Sequence, residues 1–332
     1  MTPIISVLMP VFNVEKYLEK TLNSLLAQSF TAWELIAVDD GSTDNSGKIL
    51  DKYKEKDNRF RVIHKENEGV SVARNTALDN ASCDLIFFLD SDDIIIPECL
   101  ELFYNSLTEN NADMVQGNFR PVNDDMTDYN FKHSSIIKNE IIDGVELIKR
   151  LATDTGFYYV MSCNKLMKKS LYDGFRYPVG KIHEDHFAIH HIAYPCEKIV
   201  CIEKETYLYV KHGGSITMKS FSSKNITKEE AIYDRCRFLE EKGLHTLACD
   251  TAYFTLREIP RIIQRCYLGG YFDGEVRQQL LAMADYEYKL CKDTNFHINR
   301  IIFRLLCEII TKKPDLYISY LSVKYKFLPP PK

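Results

Sequence analysis

Leu85-Ile-Phe-Phe-Leu-Asp-Ser-Asp-Asp-Ile-Ile-Ile-Pro97 carries five apolar residues straight into Asp90, Ser91, Asp92 and Asp93. A short apolar run that ends in a polar cluster is the pattern of a fully buried strand leaving a sheet. Three carboxylates at that exit repel one another at short range and call for a cation between them. Oxygen ligands favour a hard divalent ion such as Mg²⁺ or Mn²⁺, which commonly works together with phosphates. The plain alternative is a solvated acidic turn in which an Asp caps a helix that begins near Pro97. The tetrad alone does not separate the two readings, so its neighbours must.

The 332 residues have room for one large domain or two of medium size. Apolar content of 45% and charged content of 27% are those of an ordinary globular protein. A net charge of −5 gives no electrostatic case for nucleic acid. Ten cysteines at irregular spacing, with no CxxC pair and no secretory signal, point to free thiols in a reducing compartment. No run reaches the about 18 apolar residues of a membrane span. A cytoplasmic protein is expected, with attachment to the inner face of the cell membrane left open.

Outward from the tetrad, strands and helices alternate. Ile4–Met9, Glu34–Val38, Phe60–Ile63, Leu85–Leu89 and Asp113–Phe119 read as strands. Helical spacing follows at Leu18, Leu22, Leu25 and Leu26, at Ile49, Leu50 and Tyr53, after Gly69, and at Leu100, Phe103, Tyr104 and Leu107. This alternation predicts a mostly parallel sheet with helices on both faces. Ligands bind such sheets outside the carboxyl ends of the strands. Pro10, Asp39, Asp40 and Asp90 to Asp93 all stand at strand exits and are expected to converge there. Asn123–Lys138 reads as a loop, Phe175–Lys181 as a mobile loop, and Ile199–Val210 as two short strands. From about Ser222 the pattern is mainly helical, which divides the chain into a catalytic domain over 1–218 and a helical region over 219–332.

A divalent ion on Asp92, assisted by Asp90 or Asp93, suits a diphosphate. Asp39 or Asp40 can accept hydrogen bonds from a base or ribose. The Arg74 guanidinium suits a phosphate, or alternatively a structural pairing with a nearby aspartate. No GxxxxGK[ST] or GxGxxG occurs, so neither a P-loop nor a dinucleotide fingerprint explains the pocket. Glu184-Asp185 is a second carboxylate pair able to supply a general base, or else an acidic first helical turn. His183, His186, His190 and His191 lack an HExxH spacing and read as structural. His212, in Lys211-His-Gly-Gly-Ser-Ile-Thr217, is the better candidate for touching phosphate or metal.

Pro10-Val-Phe-Asn13, Val38-Asp-Asp-Gly-Ser-Thr-Asp44, Gly69-Val-Ser-Val-Ala-Arg-Asn75, Phe88-Leu-Asp-Ser-Asp-Asp93 and Glu184-Asp185 followed by Phe187 together resemble the family 2 glycosyltransferases. The resemblance covers about residues 4–217. It implies a GT-A (Rossmann-like nucleotide-diphospho-sugar transferase) fold, a UDP-sugar donor, a DxD-bound Mn²⁺ or Mg²⁺, and inversion at the anomeric carbon. It places Pro10, Phe12, Asn13 and Asp39, with Asp40 beside them, around uracil and ribose, and Arg74 near the nucleotide. Asp90 would contact ribose or metal, Ser91 the donor nucleotide, and Asp92 would hold the metal, with His212 as a further ligand. Asp185 would be the catalytic base and Glu184 a contact to acceptor or donor sugar. Asn164-Lys-Leu166 and the loop from Lys211 resemble stretches of capsule and exopolysaccharide transferases, so Lys211 or His212 would meet the departing diphosphate and Phe175–Lys181 would close over the donor. The implied acceptor is a saccharide or a lipid-linked oligosaccharide.

Near the C-terminus, Ile301, Ile302, Leu305, Leu306, Ile309 and Ile310 form one helical stripe with Arg300, Arg304, Lys312 and Lys313 about it. It is read as packing on the catalytic domain or a second subunit (a homodimer), or as resting on an anionic membrane surface. Two rivals to the transferase stand beside it. One is a non-catalytic GT-A-like module that binds glycan or protein. The other is a phosphotransferase using Asp90-Ser-Asp92, which would need its nucleophile where the first strand ends in Pro10.

Overall fold

The computed structural model describes residues 2–127, 136–213, 226–272, 274–293, 307–310, 312–317 and 319–320. Gly214 to Thr217 of the small-residue loop, and Arg300, Ile301, Ile302, Arg304, Leu305 and Leu306 of the apolar stripe, lie outside the described residues. The chain divides into two compact units, one of Met1–Gly180 with Ala188–Lys219 and one of Lys181–Phe187 with Ser220–Lys332.

The first unit opens with β1 (Ile5–Val11), α1 (Leu18–Leu26), β2 (Trp33–Asp40), α2 (Ser46–Lys56), β3 (Phe60–Lys65), α3 (Val70–Asn80) and β4 (Leu85–Phe88). Then come β5 (Ile94–Ile95), α4 (Cys99–Glu109), β6 (Met114–Asn123), β7 (Glu140–Ile142), α5 (Gly144–Leu151), α6 (Phe157–Val160) and β8 (Lys165–Lys168). Helix α7 (Glu184–Ala193), which the first unit holds from Ala188, and β9 (Ile199–Lys211) follow. Strand order is β3-β2-β1-β4-β8-β6-β9-β5, with β7 on β9. Strands β1 to β4 pair in parallel, and β8 runs antiparallel between β4 and β6.

The parallel strands are apolar almost without interruption because helices cover both faces. Val7, Leu8, Leu35, Ile36, Ile86 and Phe87 are all fully buried. Each such side chain contributes about 1.5–3 kcal/mol relative to exposure. Pro10, expected to end the first strand, lies within it, paired with Val38. Pairing of β1 with β4 has already stopped at Leu8. The missing N–H therefore falls where only β2 still flanks the strand.

Ile199–Val210 is one strand of 13 residues with Lys211 added, where the sequence suggested two. Its polar middle, Glu203 to Glu205, faces a register shift in β6 at Gly117 and Asn118. Gly117 is required there: a Cβ would stand 2.1 Å from Thr206 Oγ1 and 2.6 Å from Phe103 Cζ. The displaced backbone polar groups are met by side chains. Asn164 Nδ2 donates to the Asn118 carbonyl at 3.0 Å, and Thr206 donates its hydroxyl to Asn164 Oδ1 at 2.8 Å.

The second unit is helical: α8 (Thr227–Glu241), α9 (His245–Leu256), α10 (Ile259–Leu268) and α11 (Gly274–Asp293). Cys236, Leu256, Ile263, Cys266, Leu280, Met283 and Ile310 build its core. Among the described residues no helix is long and apolar enough to cross a membrane.

Candidate active site

The order β3-β2-β1-β4 reverses its direction of growth between β1 and β4, so the carboxyl ends of those two strands flank the crevice of the sheet. Pro10 lies at the end of β1, Asp39 and Asp40 close β2, and Asp90 to Asp93 follow β4.

The loops after β1 and β2 are laced together. Asn13 sits in the left-handed region (φ 53°), and its Oδ1 accepts the Thr43 N–H at 2.8 Å. Its own N–H donates to Ser42 Oγ at 3.1 Å. Asp44 accepts the N–H groups of Glu15 and Ser46. Although burial works against it, the bonds from Ser46 and Glu15 hold the Asp44 carboxyl below its ordinary value. Gly41 closes the turn at φ +73°, where a Cβ would meet Asn67 N at 2.7 Å. This lacing leaves Phe12 47% exposed at the rim.

Register explains the two aspartates of β2. Asp39 pairs with His64 and Asp40 with Lys65 across the parallel ladder. Asp39 Oδ2 lies 2.9 Å from His64 Nδ1, and Oδ1 accepts the Ser42 N–H. Asp40 receives Lys65 Nζ at 2.8 Å and the N–H groups of Glu68 and Gly69. Both carboxylates are buried. Asp40 thus fixes the start of α3, and with it Arg74.

The four residues after β4 separate by direction. Asp90 Oδ1 meets Arg74 Nη2 at 3.0 Å, with the Arg74 side chain only 7% exposed. The structural pairing open to Arg74 in the sequence is therefore present. Ser91 is buried, and its carbonyl accepts the Thr21 hydroxyl at 3.0 Å. Asp92 Oδ2 lies 2.8 Å from His212 Nε2. Asp93 turns inward, 1% exposed, and accepts the Val210 N–H at 2.8 Å. Burial, and behind it the charges of Asp92 and Asp90, pushes the Asp93 carboxyl well above the usual carboxylate range. Carboxylate oxygens of Asp90 and Asp93 still lie within 4.8 Å of each other and of Cys163 Sγ. Each of the three carboxylates has its own protein partner.

The antiparallel pairing of β5 with β9 sets this arrangement. Ile94 pairs with Leu208. Two residues back from Ile94 the same register sets Asp92 level with Val210, and His212, two residues further along, reaches Asp92 with its side chain. Lys211 is the half-buried last residue of β9. The His212 ring is stacked on one face by Tyr17, at 4.1 Å between centroids and 21° between planes.

The loop over Phe175–Lys181, expected to be mobile, is anchored at Tyr177. Tyr177 is 1% exposed and exchanges two backbone bonds with the Asn75 side chain, both 2.9 Å. Phe175 stacks on His191 at 5.1 Å. Val179, by contrast, is exposed. Glu184 and Asp185 belong to the second unit. They form the first turn of α7 after His183, which takes φ 61°. Glu184 is buried, and Asp185 Oδ1 accepts the His186 N–H at 2.9 Å. Arg235, fully buried on α8, feels the charge of Asp185 and donates to the His186 carbonyl at 3.3 Å.

Tyr17, His64 and Lys65 were missed in the sequence. The pair His64-Lys65 at a strand end, opposite Asp39-Asp40, carries a readable signal of charge complementarity. Tyr17 carries none, since its partner lies in another loop.

The profile of glycosyl transferase family 2 matches residues 6–175. Glycosyltransferase GlyG of Streptococcus pneumoniae serotype 4 is 35% identical over 228 residues, 67% of this chain and 75% of that protein. Glycosyltransferase GlyA of the same organism is 34% identical over 217 residues, 64% of this chain, and the match spans 31% of that relative's length. In structure, residues 1–349 of S. aureus TarS in complex with UDP-GlcNAc superpose with TM-score 0.72 at 21% identity, over 97% of this chain and 91% of that one. That likeness speaks for the fold, a GT-A sheet with a helical C-terminal region. On the family profile and the GlyG match together, the chain belongs to glycosyl transferase family 2.

Proposed function

We propose that the chain transfers a hexose or N-acetylhexosamine from a UDP-sugar to a hydroxyl of a saccharide acceptor, with inversion, in the assembly of a cell-surface glycan. The acceptor is free or lipid-linked, and the reaction takes place on the cytoplasmic side. The observation that carries this reading is the pairing of Asp92 with His212 beside the pairing of Asp90 with Arg74, at the switch point of the sheet. The relatives' activity and the UDP-GlcNAc complex of TarS support the donor class.

Two part-exposed carboxylates and an imidazole are the donor set of a divalent cation that accepts oxygen and nitrogen, so the residues fit Mn²⁺ or Mg²⁺. Asp92 and His212 would hold it, with Asp90 alongside. Such an ion, when bound, neutralises charge on a diphosphate.

The remaining steps fall to side chains of the chain. Pro10, Phe12, Asn13 and Asp39 line the base and ribose, with Phe12 offering its exposed ring. Asp40 and Arg74 set the rim from beneath, and Lys211 faces the leaving group. Asp185 takes the proton of the acceptor hydroxyl as its oxygen forms the bond to the anomeric carbon. The bond from that carbon to the phosphate oxygen breaks in the same displacement, and UDP leaves with the electron pair. Glu184 contacts a sugar. One displacement gives inversion, and no covalent sugar intermediate forms.

The test is a panel of UDP-sugars with saccharide acceptors, following UDP release and reading the product anomer by NMR. A β-linked product from an α-linked donor, abolished in Asp185→Asn, is expected. Retention of configuration, or full activity in Asp185→Asn, would overturn the assignment.

A further inference from the structure

Tyr17 has no part in the roles given so far. It precedes α1, on the loop that leaves β1, yet its ring lies flat on the imidazole of His212 at the end of β9. The His212 side chain is only 6% exposed. One face of the imidazole rests on Tyr17, and its Nε2 edge points at Asp92. Three strand-end loops thus meet at one ring.

We propose that Tyr17 is a positioning residue that holds the His212 imidazole in line with Asp92, so that the two act together on the cation or on the diphosphate of the donor. The inference rests on the function proposed above. An aromatic ring presents a negative face, so a stacked imidazole gains most when it carries positive charge or donates to a cation. Stacking of this kind therefore favours the loaded state over the empty one, and it restricts the rotamers His212 would otherwise explore.

The experiment compares wild type with Tyr17→Phe, Tyr17→Leu and Tyr17→Met, the last keeping apolar volume without a ring. In metal-free protein, NMR of the histidine side chains is expected to show the His212 ring protons shifted upfield by the neighbouring ring. That shift should persist in Tyr17→Phe and vanish in Tyr17→Leu and Tyr17→Met. Electron paramagnetic resonance titration of Mn²⁺ in the presence of UDP should give wild-type affinity for Tyr17→Phe. Affinity should be about three- to tenfold weaker for the other two. Unchanged Mn²⁺ affinity in both ring-less variants, or Tyr17→Phe as weak as Tyr17→Leu, would overturn the proposal, as would the absence of the upfield shift in wild type. If wild type binds UDP without Mn²⁺, the metal assignment fails by itself. The same loss must then appear in UDP affinity, and equal UDP affinity in Tyr17→Leu refutes the positioning role.

Discussion

Asp92 Oδ2 and His212 Nε2 lie 2.8 Å apart although the residues are 120 positions apart in sequence. The short strand β5, two residues long, makes the meeting possible by pairing with β9. Two groups that serve one ligand lose their effects together. Asp92→Asn and His212→Ala should each lower kcat/KM for UDP release by tenfold or more, and the double variant should fall little further. A double-mutant cycle on turnover checks this. Fully additive losses would mean that the two residues act on different parts of the reaction.

Arg74 joins α3 to the turn after β4 through Asp90, with its guanidinium 5.5 Å from the Tyr177 ring and 5.8 Å from the Phe88 ring. Removing it leaves Asp90 close to Asp92 and Asp93 without its cation. Arg74→Met should cost about 1.5–3 kcal/mol, the range for a hydrogen bond to a charged group. Arg74→Lys should cost less but not be neutral, because a point charge does not reproduce a planar fork. Urea unfolding midpoints measure both.

Gly117 has no spare volume. Its substitution by Ala places a methyl group within 2.1 Å of Thr206 Oγ1, in the network that ties Asn118 to Asn164. Overpacking of this kind costs about 1–3 kcal/mol. Gly117→Ala should lower the unfolding free energy by that amount in urea titration, and Thr206→Ser, which keeps the hydroxyl but loses one buried methyl group, should cost about 0.5–1.5 kcal/mol.

The helical unit holds two carboxyl groups that the transfer reaction does not use. Glu287 is 0% exposed, neither of its oxygens has a hydrogen-bond partner among the described residues, and burial followed by the charge of Glu229 pushes it well above the usual range. Burial pushes Glu229 up to about 7. A carboxyl raised in the folded state keeps its proton while the unfolded chain loses one, so stability falls as pH rises above the unfolded value. For Glu229 the fall ends near pH 7, and Glu287 contributes a fall of the same sign. Glu287→Met should raise the thermal midpoint, by more at pH 8 than at pH 5. A gain independent of pH would contradict this account of Glu287.

The sheet was legible because its strands are apolar runs that stop at carboxylates. Periodicity and strand-exit chemistry are local, and they marked Pro10, Asp39, Asp40 and Asp90 to Asp93 at once. Direction was not local. Asp93 differs from Asp92 only in facing the Val210 N–H, and a sequence of identical residues cannot show that turn. The antiparallel β8 was hidden because Lys165-Leu-Met-Lys168 is too short for a clear alternation, and Lys165 is buried. The single long β9 was hidden by its charged middle, which only the bulge in β6 accommodates. Tyr17 is invisible for a third reason, since a ring stacked across three loops leaves no periodic trace.

The most direct measurement is calorimetric titration of UDP into the purified chain with Mn²⁺ and with EDTA, beside Asp92→Ala. Binding that requires the metal and disappears in Asp92→Ala is the expected result. UDP binding of equal strength with EDTA, or undiminished in Asp92→Ala, would contradict the central claim that Asp92 and His212 hold a cation for the donor's diphosphate.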